Sequence, residues 1–275
     1  MTMRAVLLGV ALCASACAID GAADEEAVAQ EEALATSSAA SVRVMTYNIK
    51  HAEESGLELA RIADVIGEAG ADIVGLQEID MGTRRSDGQR QASALGALTG
   101  LGNVYFGESF PFDGGSYGVA ILSRWPLANA STVRLDTHTK VADGYEPRIA
   151  VVADVVAGGR TFTFATLHAS LHDEEHDGNA RALLAALGTR ARRAIVTGDF
   201  NEKPEETIGD ALVGAGLTDA FHEKHRFFGY TIPSRFPTKR IDFVYRGAGL
   251  GRTEHAWVPS TQASDHRPVA AVIPL

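Results

Sequence analysis

Cysteine is almost missing from this 275-residue chain: only Cys13 and Cys17 occur, both within the first 17 residues. The rest can hold no disulfide framework, no thiolate-ligated zinc and no cysteine nucleophile. Positive charge is short as well. The chain carries 25 Lys and Arg against 35 Asp and Glu, a formal charge of −10. No chain-wide basic field therefore exists to hold nucleic acid non-specifically. Much of the imbalance sits in residues 1–41, where Arg4 stands alone against Asp20, Asp24, Glu25, Glu26, Glu31 and Glu32. Beyond Ser41 the chain is only mildly acidic, which excludes a histone-like binder but not an enzyme acting on phosphodiesters. Aromatics make up just 7%, too few for a continuous stacking surface. No apolar run approaches the ~20 residues of a membrane-spanning helix. What is present, 45% apolar and 22% charged residues, is the mixture of an ordinary folded protein.

The amino terminus reads as an export signal. Arg4 precedes fourteen uncharged residues, Ala5 to Ala18, in the order of a secretory leader: positive start, short apolar stretch, small residues. Ala14-Ser15-Ala16-Cys17 admits a signal-peptidase site, and it also resembles a bacterial lipobox ending in a lipidated Cys17, with Ala14 where Leu is usual. A buried amino-terminal helix is a third reading. Residues 18–41 are Ala- and Glu-rich without apolar periodicity and read as a tether. The expected domains are therefore a signal over 1–17, a linker over 18–41 and a catalytic body over 42–275, exported and either lipid-anchored on the envelope or secreted.

From Val42 the pattern changes. Val42, Val44 and Thr46 alternate with Arg43, Met45 and Tyr47, a period-two strand. Leu59, Ile62, Ala63 and Ile66 predict a helix over 57–69, and Ala71–Gln77 a buried strand. Further helices are expected over 89–100, 179–190 and 205–215. Strands are expected at Tyr117–Ser123, Arg148–Val156, Thr161–His168, Ala194–Gly198, Ile241–Tyr245 and Pro268–Ile273. Ala157-Gly158-Gly159-Arg160 joins two of them as a hairpin. Phe106–Phe112, with three phenylalanines, reads as a loop, and so does polar 171–178. Strands and helices intermixed without a linker predict a single α/β domain with two stacked mixed sheets.

Nearly every expected strand ends in a polar residue that a core would not choose: Asn48, Glu78, His168, Asp199 with Asn201, Asp242, and Asp265 with His266. Strand ends gather along one rim of a sheet, where a site can form. Carboxylates and amides without cysteine are hard oxygen donors, suited to Mg²⁺, Mn²⁺ or Ca²⁺. Two histidines beside them suit proton transfer near neutral pH. Together they are what metal-assisted hydrolysis of a phosphate ester requires.

Thr46-Tyr47-Asn48-Ile49, Leu76-Gln77-Glu78, Gly198-Asp199-Phe200-Asn201, Arg240-Ile241-Asp242-Phe243-Val244 and Ser264-Asp265-His266-Arg267-Pro268-Val269 occur in the order seen in the endonuclease/exonuclease/phosphatase superfamily, and Tyr117–Arg124 resembles its middle strand. The superfamily includes pancreatic-type deoxyribonucleases, abasic-site endonucleases, neutral sphingomyelinases and inositol-polyphosphate 5-phosphatases. The resemblance covers the whole body. It implies a four-layered α/β sandwich, two stacked sheets flanked by helices, performing Mg²⁺- or Mn²⁺-dependent in-line hydrolysis, as a monomer. By the same resemblance Glu78 looks like the principal metal carboxylate, with Asn48 beside it and Asp265 as a further ligand. Asp199 looks like the residue that polarises water, with Asn201 as its partner in holding water or phosphate. His266 resembles the histidine at the scissile phosphate, oriented by Asp242, and His168 the second catalytic histidine. Arg148 looks like a phosphate-binding arginine.

Plainer readings stand beside these. Asn48 also reads as a turn residue, Glu78 as a solvated acid and Asp199-Phe200-Asn201 as an Asx turn. Asp242 also reads as an ion-pair partner of Arg240, Asp265 and His266 as a strand cap, His168 as structural and Arg148 as a partner of Glu146. His168, His172 and His176 at four-residue spacing would make a zinc-like face on a helix, but the first ends a strand. Arg84, Arg85 and Arg90 form a small basic cluster. Among rival functions, a calcineurin-like metallophosphoesterase lacks its Asp-x-His and Gly-Asn-His blocks here, and an inactive binding module would not need every metal and base position. The substrate class stays open among nucleic acid, phospholipid and inositol-type headgroups.

Overall fold

Alternating side chains in β1 (Ser41–Asn48) divide between two destinations, and that division explains the architecture. The computed structural model describes residues 40–135 and 145–275. The expected signal, Cys17 and all but the last two tether residues lie outside them. After β1 come α1 (Leu59–Ala69), β2 (Ile73–Met81), α2 (Gln91–Thr99), β3 (Asn103–Phe112), β4 (Gly115–Ser123) and β5 (Ala128–Arg134). The order continues with β6 (Ile149–Ala157), β7 (Arg160–His168), α3 (Asp173–Leu187), β8 (Ala194–Asp199), α4 (Thr207–Gly214) and β9 (Leu217–Asp219). It closes with α5 (Ala220–Lys224), β10 (Asp242–Gly247), β11 (His255–Trp257) and β12 (Val269–Pro274).

Two mixed six-stranded sheets result, ordered β11-β12-β1-β2-β4-β3 and β5-β6-β7-β8-β10-β9. In β1, Val42 and Val44 enter a buried cluster with Ile149, Val151, Phe164 and Ile195 of the other sheet. Met45 and Tyr47 point the opposite way, into a cluster with Ile62, Ile66 and Leu95 of the covering helices. The second sheet repeats the scheme: Leu167 and Val196 pack with Leu183, Leu187 and Leu212. Helix, sheet, sheet and helix form the four layers.

Both sheets are buried on two faces, so their closest approach is tightly filled. Toward the strand ends the seam turns polar. Gln77 donates to Thr166 Oγ1 at 2.8 Å, and Thr46 donates to Gln77 Oε1 at 3.3 Å. A Cβ on Gly75 would fall on Thr166 Oγ1 and lie 2.6 Å from Thr197 Oγ1. Glycine is what lets the sheets meet there.

Helix α1 presents Leu59, Ile62, Ala63 and Ile66 to the core and ends where Gly70, at φ 63°, returns its N–H to the last turn. The expected hairpin is present, with Gly158 and Gly159 both at positive φ between β6 and β7. Two expectations need correction. Phe106–Phe112 is no loop but the second half of β3, an edge strand paired along its length with β4. Pro111 is tolerated there because an edge strand leaves one row of backbone groups unpaired. Helix α3 begins at Asp173 and not at 179, so most of the expected loop 171–178 is helical. Its first turn carries Asp173, Glu174 and Glu175, acids that favour a helix amino terminus.

Candidate active site

Strand register assembles the site. On the second sheet, β7 and β8 run parallel with His168 beside Asp199, and β8 and β10 antiparallel with Asp199 beside Asp242. On the first, Asn48 ends β1 next to Gln77, and Glu78 sits at a bulge in β2, at φ 56°. A bulge re-aims one side chain without ending the strand, and here it turns Glu78 toward the pocket. The Ser264–His266 segment precedes β12 and is tied to β1 by Ser264, whose hydroxyl donates to the Asn48 carbonyl at 2.8 Å.

Asp199 is the centre. Its Oδ2 accepts from Asn48 Nδ2 at 2.9 Å and lies 3.6 Å from His168 Nε2 and 3.8 Å from His266 Nε2. Its Oδ1 accepts from the Asn201 N–H at 3.0 Å, so the expected Asx turn exists as part of the site. Asn48 Nδ2 also donates to Glu78 Oε1 at 2.9 Å, while Asn48 Oδ1 accepts from the Lys50 N–H at 3.0 Å. Asn201, at φ 51°, donates its side-chain amide to the Ala169 carbonyl at 3.0 Å. Asp242 Oδ2 accepts from His266 Nδ1 at 2.9 Å. Arg240, its expected surface partner, pairs instead with Asp219 at 2.7 Å. Arg148 Nη1 lies 3.0 and 3.1 Å from the two ring nitrogens of His168, and its Nη2 lies 3.0 Å from Glu146. Asp265 stands at the margin, its carboxylate 3.4 Å from Lys50 Nζ.

The two histidines are driven apart. Burial, then the Arg148 cation and His266, push His168 well below the ordinary imidazole value, so it is neutral. Burial alone would lower His266 too, but the Asp242 and Asp199 carboxylates override it and raise that ring to about 10. One neutral and one protonated imidazole on either side of a carboxylate is a division between acceptor and donor roles. Burial also raises Asp199, with Asp242 adding to it, and burial raises Glu78 against the hydrogen bond from Asn48.

These donors fit a hard divalent cation. Among the described residues Asp199, Asp242 and His266 bring ligand atoms within 4.8 Å of one another. Asp242 Oδ1 is buried without a hydrogen-bond partner. Burial raises both Glu78 and Asp199, and the nearby cations offset it only in part, so a bound cation would favour their charged forms further. Two of the three close residues already share the Asp242–His266 hydrogen bond, so Glu78, facing the pocket from the opposite sheet, is the more available carboxylate.

The pocket above them has a volume of about 310 Å³. Its walls include Phe110 and Phe112 of the phenylalanine-bearing stretch, together with residues that sequence reasoning missed: Tyr117, Leu171, Ile232 and Ile241. Arg85 is drawn from the basic cluster into this wall, over the Phe112 ring at 4.4 Å and bonded through Nε and Nη2 to Asp80. Nothing in the spacing of the aromatics signalled a shared surface, because they meet only through the β3–β4 pairing. The three spaced histidines do not converge. His168 ends β7, His172 stands just before α3 without a side-chain bond to it, and buried His176 lies 3.3 Å from Glu202.

A family model described as the endonuclease/exonuclease/phosphatase family matches residues 45–266. No curated protein matches the sequence. Several solved structures share the fold. A mannosyl-6-phosphatase from Bacteroides thetaiotaomicron is 18% identical, with 85% of this chain and 100% of that one covered at a TM-score of 0.69. An endonuclease/exonuclease/phosphatase from Beutenbergia cavernae is 22% identical over 86% and 72%, at 0.69. The human Nocturnin catalytic domain, solved with a bound sulfate anion, is 22% identical over 85% and 93%, at 0.64.

Proposed function

The chain belongs to the endonuclease/exonuclease/phosphatase family, divalent-metal-dependent hydrolases of phosphoester bonds, and we propose that it is an exported enzyme cleaving a phosphodiester or phosphomonoester by in-line attack of water. The observation that carries this reading is the Asp199 carboxylate, flanked within 3.8 Å by His168 and His266 and steadied by two amides. Asp199 takes the proton of the attacking water. The protonated His266 ring, fixed by Asp242, donates toward the phosphate oxygens and so offsets charge that grows in the transition state. His168 and Arg148 face the same oxygens from the β6–β7 side, and Asn201 fixes the turn that aims Asp199. Glu78, with Asn48 and Asp265 around it, would hold Mg²⁺ or Mn²⁺. When bound, the cation supplies Lewis-acid neutralisation of the phosphate.

Chelation tests this directly. Exhaustive EDTA treatment should abolish hydrolysis of bis-nitrophenyl phosphate, and Mg²⁺ or Mn²⁺ should restore it. Glu78→Gln should raise the metal concentration needed for half-maximal rate. Undiminished turnover after chelation would sink the reading. Export is the other half of the proposal, resting on the leader-like pattern through Cys17. Mass spectrometry of protein from the native host should find a chain beginning at or near Cys17, with diacylglycerol on Cys17 where the lipobox reading holds; a chain that keeps Met1 would contradict export.

A further inference from the structure

Residues 224–240 carry a composition that the hydrolytic site does not use. The segment reads KHRFFGYTIPSRFPTKR, without a single carboxylate in a chain rich in them. Phe227 and Phe228 are each 76% exposed, Phe236 is 73% exposed, and Tyr230 is also exposed. Lys224, Arg226, Arg235 and Lys239 surround them and are exposed too. Three exposed phenylalanines interleaved with exposed cations mark a surface made to meet something other than water.

The segment is fastened to the active site. Ser234 N–H donates to the Asp265 carbonyl at 2.7 Å, Arg267 N–H donates to the Thr231 carbonyl at 2.7 Å, and Arg267 Nε donates to the Ser234 carbonyl at 2.7 Å. Ile232 lines the pocket, and Leu171, 65% exposed, continues the apolar rim across its mouth. Whatever the segment rests on therefore meets the pocket opening.

We propose that residues 224–240 dock the protein on a bilayer of anionic phospholipid, with the phenylalanines in the interface and the four cations against the headgroups. Charge complementarity argues for that occupant. A single-stranded nucleic acid would need a stacking platform on a continuous cationic groove. Phe228 and Tyr230 instead meet edge-on at 87° and share no common face. Across the pocket Arg84, Arg85 and Arg148 are each matched by an acid, Asp113, Asp80 and Glu146. In the groove behind the segment Glu205 is the carboxylate facing its cations. Lys224, Arg226, Arg235 and Lys239 are exposed within the segment itself, Arg226 and Lys239 lining one groove with Phe227 and Phe228 and Arg235 lying 5.5 Å from the Phe236 ring. That the pocket then meets lipid-borne phosphoesters rests on the phosphoesterase reading; the docking does not.

The test is co-sedimentation of the full-length chain carrying Cys17→Ser, in EDTA, with vesicles of phosphatidylcholine alone or doped with phosphatidylglycerol. Binding should favour the doped vesicles and weaken with added salt. Replacing Lys224, Arg226, Arg235 and Lys239 together by Gln should weaken it on the order of 10³-fold, and Phe227→Ser/Phe228→Ser/Phe236→Ser by about tenfold or more. Both variants should keep the wild-type melting temperature and its rate on soluble bis-nitrophenyl phosphate. Binding that ignores headgroup charge, or that survives both sets of substitutions, overturns the proposal. So does a single-stranded oligothymidylate bound in preference to the doped vesicles. Loss of hydrolysis on the soluble ester with vesicle binding intact would instead count against the catalytic reading alone.

Discussion

Asp199→Asn should remove most phosphoester hydrolysis while leaving the protein about as stable as the wild type. The substitution keeps the side chain's shape and deletes the charge that activates water, so kcat should fall by about 10²–10⁴-fold, the range of a general acid–base group. Stability moves differently because two opposing effects meet at this residue. Burial and the Asp242 carboxylate hold Asp199 above its ordinary value. A carboxyl raised in the folded state loses stability once pH climbs above its unfolded value, so near neutrality the ionised group costs the fold something. Removing the charge relieves that cost. Against it stands one of the two accepted hydrogen bonds, from Asn48 Nδ2 or the Asn201 N–H, because the amide keeps a single oxygen; that bond is worth about 1 kcal/mol. The two nearly offset, so urea unfolding should place Asp199→Asn within about 1 kcal/mol of wild type. Asp199→Ala should lose the same activity and also stability, because Asn48, His168 and His266 would face an unfilled space. A near-normal kcat for Asp199→Asn would show that another group activates the water.

The polar strand ends that gather at the pocket were legible for a physical reason. A strand's interior is dictated by two buried faces, so an asparagine, glutamate or aspartate that ends an apolar run stands out, and register then gathers those ends. The same physics hid the pocket walls. Phe110, Phe112 and Tyr117 approach one another only when β3 folds back on β4, and Gly107, Pro111 and three phenylalanines within seven residues look like a loop to any period-two test. The start of α3 was hidden by composition: Asp173, Glu174 and Glu175 read as a polar loop, although at a helix amino terminus acids are stabilising. His176 and Glu202 could not be paired from sequence. Their separation is spanned by α3 and β8, and the pair braces the turn after Asp199, since Glu202 also accepts the N–H groups of Ile208 and Gly209 at 3.0 and 2.7 Å. The aromatics of 224–240 carried no reading in the sequence, and it is the hydrogen bonds to Asp265 and Arg267 that place the segment beside the site.

The Asp242–His266 pair should act as one unit in both rate and stability. A group at a strand-end rim is expected to contribute little to folding, but this pair is buried, Asp242 completely. His266→Ala should cost about 10²–10⁴-fold in kcat. Asp242→Asn should cost somewhat less, and the double variant little more than His266→Ala. Stability should separate the variants the other way. His266→Ala leaves the Asp242 carboxylate buried with neither oxygen bonded, since Oδ1 already lacks a partner. Breaking a buried pair in this manner costs about 3–5 kcal/mol. Adding Asp242→Asn removes the stranded charge, so the double variant should unfold at higher urea than His266→Ala alone. The pH profile supplies an independent check. His266 is raised from 6.5 to about 10 in the folded state, by carboxylates that outweigh its burial. A histidine raised in this way contributes stability that is complete below the unfolded value and lost as pH climbs through the folded one. Metal-free protein should therefore lose stability progressively between pH 6.5 and about 10, and Asp242→Asn should flatten that decline. Multiplicative rate losses, or a double variant no more stable than His266→Ala, would show that the two side chains are neighbours without being partners.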